Sequence, residues 1–152
     1  MQIKISKMNI DDLNKISPVL LTEFDDFWNH NIFKSELENE NSKYVVAKNN
    51  DEIVGFAGIW ISIDEAHVTN IVTKKDLRKN GIGSTLLEEL INLSKNLNLV
   101  SITLEVNENN LDAIKLYEKF GFEKLGIRKK YYNNTDNALI MTKKLNWSIR
   151  KL

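Results

Sequence analysis

Val68-Thr69-Asn70-Ile71-Val72-Thr73, followed five residues later by Arg78-Lys79-Asn80-Gly81-Ile82-Gly83, is the stretch that decides the fold. The first six residues are rich in β-branched side chains and read as a strand. Beyond the glycines, Leu86, Leu87, Leu90, Ile91 and Leu97 recur at helical spacing, which predicts a helix over about 82–96. A glycine turn that opens a helix aims several backbone N–H groups at one spot, and the helix dipole adds partial positive charge there. Gly81 and Gly83 keep side chains out of the way, so a phosphate can come close to the backbone. Lys74, Lys75, Arg78 and Lys79 are expected to add mobile positive charge around it. The stretch reads as a pyrophosphate cradle. It is neither a Gly-x-x-x-x-Gly-Lys-Ser/Thr loop nor a Gly-x-Gly-x-x-Gly dinucleotide turn.

Upstream, Ile3 and Ile5 mark a first strand. Ile10, Leu13, Ile16 and Leu20 suggest a helix disturbed at Pro18, which lacks the N–H an interior position needs. Phe24, Phe27, Trp28, Ile32, Phe33 and Leu37 predict a second, aromatic-rich helical region over about 22–40. Tyr44–Ala47 and Ile53–Trp60 read as two strands joined by a turn at Asn49-Asn50-Asp51. Downstream, Ser101-Ile102-Thr103-Leu104-Glu105-Val106 alternates, with Ile102, Leu104 and Val106 on one face. Asn110 is a good N-cap for a helix whose face carries Ala113, Leu116, Tyr117 and Phe120, and Gly121 is a plausible stop. Phe122–Leu125 and Ala138–Met141 finish as strands around a polar loop at 131–136. The order β-α-α-β-β-β-α-β-α-β-β predicts an α/β (α+β) domain: a mixed, mostly antiparallel sheet of six to seven strands with helices on both faces.

With 152 residues, one domain over 1–152 is expected. The 21 basic and 21 acidic side chains cancel, which disfavours nucleic acid or a membrane surface as partner, since either needs a basic excess. There is no cysteine, hence no disulfide, thiolate metal site or thiol nucleophile. No run approaches a membrane span and no signal peptide is visible, so a cytoplasmic protein is expected. His30 and His67 lack partners at ligand or triad spacing and read as structural; no metal is expected.

Taken together, Asp64-Glu65-Ala66, Asn70-Ile71, Arg78-x-x-Gly81-x-Gly83, Leu104-Glu105-Val106, Asn110-x-x-Ala113-x-x-Leu116-Tyr117-x-x-Phe120-Gly121-Phe122 and Ile127-Arg128-x-x-Tyr131-Tyr132 form an ordered set. The set resembles the GNAT superfamily of acetyltransferases, and within it the ribosomal-protein-alanine N-acetyltransferase branch, over about residues 60–142. The resemblance implies acetyl-CoA as cosubstrate. Ile71, Val72, Thr73, Arg78, Lys79, Asn80, Gly81, Ile82, Gly83, Ser84, Asn110 and Tyr117 would hold it. Where family members often carry Val-Asp-Pro, this chain has Thr73-Lys74-Lys75, a change of side chains that leaves backbone donors in place.

The chemistry suits these residue types. An α-ammonium has a pKa near 7.7–8.0, so only about a tenth is the neutral nucleophile at pH 7. A carboxylate can collect its proton, directly or through water; Glu105 is the candidate. Backbone N–H groups around Val72 and Thr73 would stabilise the oxyanion. By the resemblance, Tyr117 would protonate the departing thiolate, and Glu65, Arg128, Tyr131 and Tyr132 would line the acceptor groove. The expected acceptor is the N-terminal α-amine of a protein or peptide, a ribosomal protein among the candidates, and the enzyme a monomer or weak dimer. Two alternatives stay open: acetylation of a small amine, over which the aromatic residues at 24–33 could close, and a CoA-binding module without turnover.

Overall fold

The computed structural model describes residues 1–24, 29–132 and 135–145, with only the backbone at 130–132. Seven strands, β1 (Ile3–Lys7), β2 (Ser42–Asn49), β3 (Glu52–Ser62), β4 (Glu65–Thr73), β5 (Ser101–Asn107), β6 (Glu123–Tyr132) and β7 (Asp136–Lys144), form one sheet in the order β1-β2-β3-β4-β5-β7-β6. The β1–β2, β2–β3, β5–β7 and β6–β7 pairs are antiparallel, and β4–β5 is parallel. Among the described residues, four α-helices accompany them: α1 (Ile10–Ile16), α2 (His30–Glu38), α3 (Ile82–Asn96) and α4 (Leu111–Lys119). The chain divides into two compact units, Met1–Trp60 with Thr69–Leu90, and Ile61–Val68 with Ile91–Leu152.

In the first unit, α1 starts at a reciprocal cap. The Asp12 N–H donates to Asn9 Oδ1 at 2.9 Å and the Asn9 N–H to Asp12 Oδ2 at 3.0 Å. The helix ends at Ile16, and the chain passes Pro18 in a 3₁₀ turn (Ser17–Val19) and then a π turn (Leu20–Phe24). The continuous helical region expected over 22–40 is thus broken: α2 begins only at His30, capped by Asn29, whose Oδ1 accepts the Ile32 N–H at 3.0 Å. Phe27 and Trp28 lie outside the described residues.

The buried core of this unit includes Leu13, Ile16, Phe24, Phe33, Tyr44, Val46, Phe56 and Val72. Phe33 packs between Phe56 and Tyr44, with ring centroids 5.1 and 5.4 Å away. Phe24 and Phe33 therefore belong to the core, not to a free aromatic wall. Two glycines of β3 make this packing possible. A Cβ at Gly58 would lie 2.3 Å from the Tyr44 ring, opposite it in the β2–β3 register. A Cβ at Gly55 would stand 2.9 Å from the Val72 carbonyl oxygen and 3.1 Å from Ile82 and Leu86, so its absence lets the first turns of α3 sit on β3.

In the second unit, Glu65–His67 of β4 pair with Ser101–Thr103 of β5. As the alternation predicts, Ile102, Leu104 and Val106 are buried. The α4 cap also forms as expected, Asn110 Oδ1 accepting the Ala113 N–H at 3.2 Å, and Gly121 follows the helix at φ +94°. Its inward residue is Ile114, whereas Leu116 and Tyr117 remain partly exposed. Leu97 falls beyond α3 and is exposed. The polar loop expected over 131–136 is shorter: β6 runs through Tyr132, whose register partner is Asp136. Paired aromatics favour extended backbone, and the hairpin continues through them.

Candidate active site

The cradle lies within the first unit. β4 ends at Thr73, a 3₁₀ turn covers Lys75–Leu77, and α3 opens at Ile82. The first intrahelical bond runs from the Thr85 N–H to the Gly81 carbonyl, 3.1 Å, so the N–H groups of Ile82, Gly83 and Ser84 have no partner within the helix. The first turn contains no acidic residue that would offset the positive end of the dipole. Gly81 stands at φ +82°, a conformation that strains any L side chain, and a Cβ there would meet nothing within 4 Å. A Cβ at Gly83 would touch only Thr73 Oγ1, at 3.8 Å. Packing thus gives no reason for a helix-weakening glycine at 83. The open space beside donor-rich backbone fits the pyrophosphate of a CoA-type ligand.

The basic side chains around it behave differently from the expectation of mobile charge. Lys74 is paired with Glu52 at 2.6 Å and Glu23 at 3.4 Å, and the bond from Glu52 pushes its ammonium above the ordinary lysine range. Lys75 Nζ donates to the Leu21 carbonyl at 3.2 Å and Arg78 Nη2 to the Phe24 carbonyl at 3.4 Å. These three side chains strap the turn to the 21–24 segment. Asn80 holds the turn itself, donating from Nδ2 to the carbonyls of Leu77 (2.9 Å) and Arg78 (3.2 Å), while Lys79 is exposed and takes a left-handed φ of +68°. The groups left open at this turn are therefore backbone more than side chain.

The candidate acid and base lie in the second unit. Glu105 occupies the polar face of β5 with its side chain 28% exposed, and Arg128 Nη2 donates to its Oε1 at 3.0 Å. Its Oε2 is buried and accepts no hydrogen bond among the described residues. Tyr117 leans on Phe122, ring centroids 6.0 Å apart, and burial pushes its phenol above the ordinary tyrosine range, so the hydroxyl keeps its proton. Asn110 has committed its Oδ1 to the α4 cap. Glu65 is exposed at the start of β4. The backbone of Tyr131 and Tyr132 ends β6, and their side chains lie outside the described residues. His30 is engaged by Ser17, Nδ1 to Oγ 2.6 Å, and His67 sits on β4 opposite Thr103.

Two features of the site go beyond what the sequence reading assigned. The Glu105–Arg128 pair joins residues 23 positions apart on strands that are not neighbours. Asn70 is 9% exposed, and neither its amide nitrogen nor its oxygen has a partner among the described residues. A polar residue amid a β-branched strand was the one available signal for the latter.

Comparisons with known proteins identify the family. The model of the acetyltransferase (GNAT) family matches residues 11–122. The [ribosomal protein bS18]-alanine N-acetyltransferase of Escherichia coli (strain K12) is 34% identical over 119 residues, 75% of this chain and 78% of its own. A Bacillus subtilis (strain 168) protein, provisionally given the same activity in its name, is 35% identical over 139 residues, covering 90% of this chain and 92% of its own. The crystal structure of the ribosomal-protein-S18-alanine N-acetyltransferase from Escherichia coli superposes with a TM-score of 0.84 at 29% identity, over 94% of each chain. By the family match, these relatives and the shared seven-stranded mixed sheet, the chain belongs to the GNAT family of N-acetyltransferases.

Proposed function

We propose that the protein moves an acetyl group from acetyl-CoA to the N-terminal α-amine of a protein, with a ribosomal protein as the leading candidate acceptor. The observation that carries this reading is Glu105, a β5 carboxylate with Oε1 tied to Arg128 and a buried Oε2 that accepts no hydrogen bond among the described residues. The named activity of the Escherichia coli and Bacillus subtilis relatives supports a protein N-terminus over a small amine.

Acetyl-CoA supplies an activated acyl group as a thioester. The amides of Gly81 to Ser84 take its pyrophosphate at the opening of α3, with Arg78, Lys79, Asn80 and Ile82 shaping the turn. Backbone along Ile71–Thr73 and the polar groups of Asn110 and Tyr117 hold the rest of the cosubstrate. The Glu105 carboxylate accepts the proton of the incoming ammonium, directly or through water, and frees its lone pair. Backbone N–H groups near Val72 and Thr73 face the negative charge that develops on the carbonyl oxygen. The Tyr117 phenol, kept protonated by its surroundings, gives its proton to the leaving sulfur. The acceptor groove is assigned to Glu65, Tyr131 and Tyr132, because aromatic residues bury peptide at low entropic cost.

The test is mass spectrometry of a peptide library carrying free N-termini, incubated with acetyl-CoA and the purified protein alongside polyamines and amino acids. A mass gain of one acetyl group confined to peptide α-amines is expected, with the N-terminus of ribosomal protein bS18 among the best acceptors. Acetylation of the small amines alone would overturn the protein-acceptor reading, and no product on any amine would overturn the enzyme reading.

A further inference from the structure

The geometry points to Arg128 as a positioning residue for Glu105: it pins one carboxylate oxygen and so fixes the orientation of the carboxylate with the other held out of bulk water, acting on turnover through the base. This rests on the reading of Glu105 as base. Register explains why Arg128 in particular can do it. Glu105 pairs with Ile140 of β7, and Ile140 pairs with Gly126 of β6. One level along, Asn107 pairs with Ala138, and Ala138 with Arg128. Paired residues of adjacent antiparallel strands share a face, so all six stand on the face that carries Glu105. The residue directly across from Glu105, two strands away, is Gly126, which offers no side chain. Arg128 is the next residue of β6 on that face. Adjacent strands are about 4.8 Å apart, so its guanidinium has to cross β7, and the residue at its own level there is Ala138, small and fully buried.

The result is an asymmetric carboxylate. Oε1 takes the Nη2 donor at 3.0 Å, while Oε2 is buried and accepts nothing among the described residues. An unanchored glutamate would turn its free oxygen toward solvent, where water would satisfy it. A planar guanidinium fixes a carboxylate in orientation as well as in place, which a lysine ammonium does less well. Half of the Arg128 side chain remains exposed, at 53%, so its removal leaves no hole in the core.

The experiment is a double-mutant cycle on the full chain, with steady-state kinetics on an N-terminal peptide acceptor and calorimetry of acetyl-CoA binding. Arg128→Met is expected to lower kcat by about 10-fold to 100-fold, the scale of a slightly misplaced catalytic group. The KM for peptide and the affinity for acetyl-CoA should stay within about threefold. Arg128→Lys should recover part of the lost kcat. In a Glu105→Gln background, Arg128→Met should cost no further turnover. A raised peptide KM with unchanged kcat would overturn the proposal in favour of a direct acceptor contact. An equal loss of kcat from Arg128→Met with and without Glu105 would overturn it too. If Arg128→Met does not fold, the same comparison with Arg128→Lys decides. Wild-type kcat in Glu105→Gln alone is the separate result that removes the base itself.

Discussion

Tyr117 is the residue whose assigned work is hardest to separate from packing. Its ring leans on Phe122, and a core tyrosine at helical spacing would do the same. In the proposed reaction the hydroxyl, not the ring, is the working group. Tyr117→Phe should therefore fold with little change in stability and bind acetyl-CoA within a few-fold of wild type, while kcat falls at least about 10-fold, as for loss of a general acid. Full turnover in a stable Tyr117→Phe protein, measured by thiol release, would leave Tyr117 only its packing against Phe122. A second consequence concerns pH. Burial raises the phenols of both Tyr44 and Tyr117, and Glu52 raises Lys74. In each case the protonated form is favoured more in the folded chain, so the stability they contribute is complete below the unfolded values near 10. It is lost as pH rises through the folded ones. Urea melts at increasing pH should show constant stability through neutral pH and a decline above about pH 10, blunted in Tyr44→Phe. A decline already complete at about pH 9 would show that other groups dominate.

At the scale of elements, α3 was legible to the residue because its signals are local: a glycine turn in front and apolar side chains at a helical period behind. The interrupted helix before it was half legible. Pro18 announced the break, but the turns that follow depend on Phe24 reaching the Phe56 ring at 5.9 Å, a tertiary contact. The β6–β7 hairpin was read too short because polar residues crowd its end, although register carries Tyr132 opposite Asp136. Gly83 offers a prediction belonging to this scale. Glycine weakens a helix by about 0.5–1 kcal/mol relative to alanine, and a Cβ here touches only Thr73 Oγ1 at 3.8 Å. Gly83→Ala should thus raise the thermal midpoint slightly and yet weaken acetyl-CoA binding, since the methyl enters the space that the proposed cradle gives to phosphate. Stability and affinity that rise together would mean the open space has no ligand.

For the molecule as a whole, the sequence announced the family more completely than it announced the site. Motif residues such as Asn110, Gly121 and Glu105 stand where the spacing put them, because caps, stops and strand alternation are short-range rules. Charge was different. Lys74 was expected to serve the cradle and is held by Glu23 and Glu52, partners 51 and 22 positions away that no spacing rule could select. The Glu105–Arg128 pair is of the same kind, set by the order β5-β7-β6 and not by distance along the chain.

The central claim, that Glu105 relieves the acceptor amine of its proton, is tested most directly by the ratio of wild-type to Glu105→Gln acetylation rates on an N-terminal peptide from about pH 6.5 to 9.5, a span that brackets the amine's own pKa of about 7.7–8.0. The ratio should be large at the acid end, on the order of 10²–10⁴. It should shrink steadily as rising pH deprotonates the amine without help. A ratio that stays flat across that range would contradict the account.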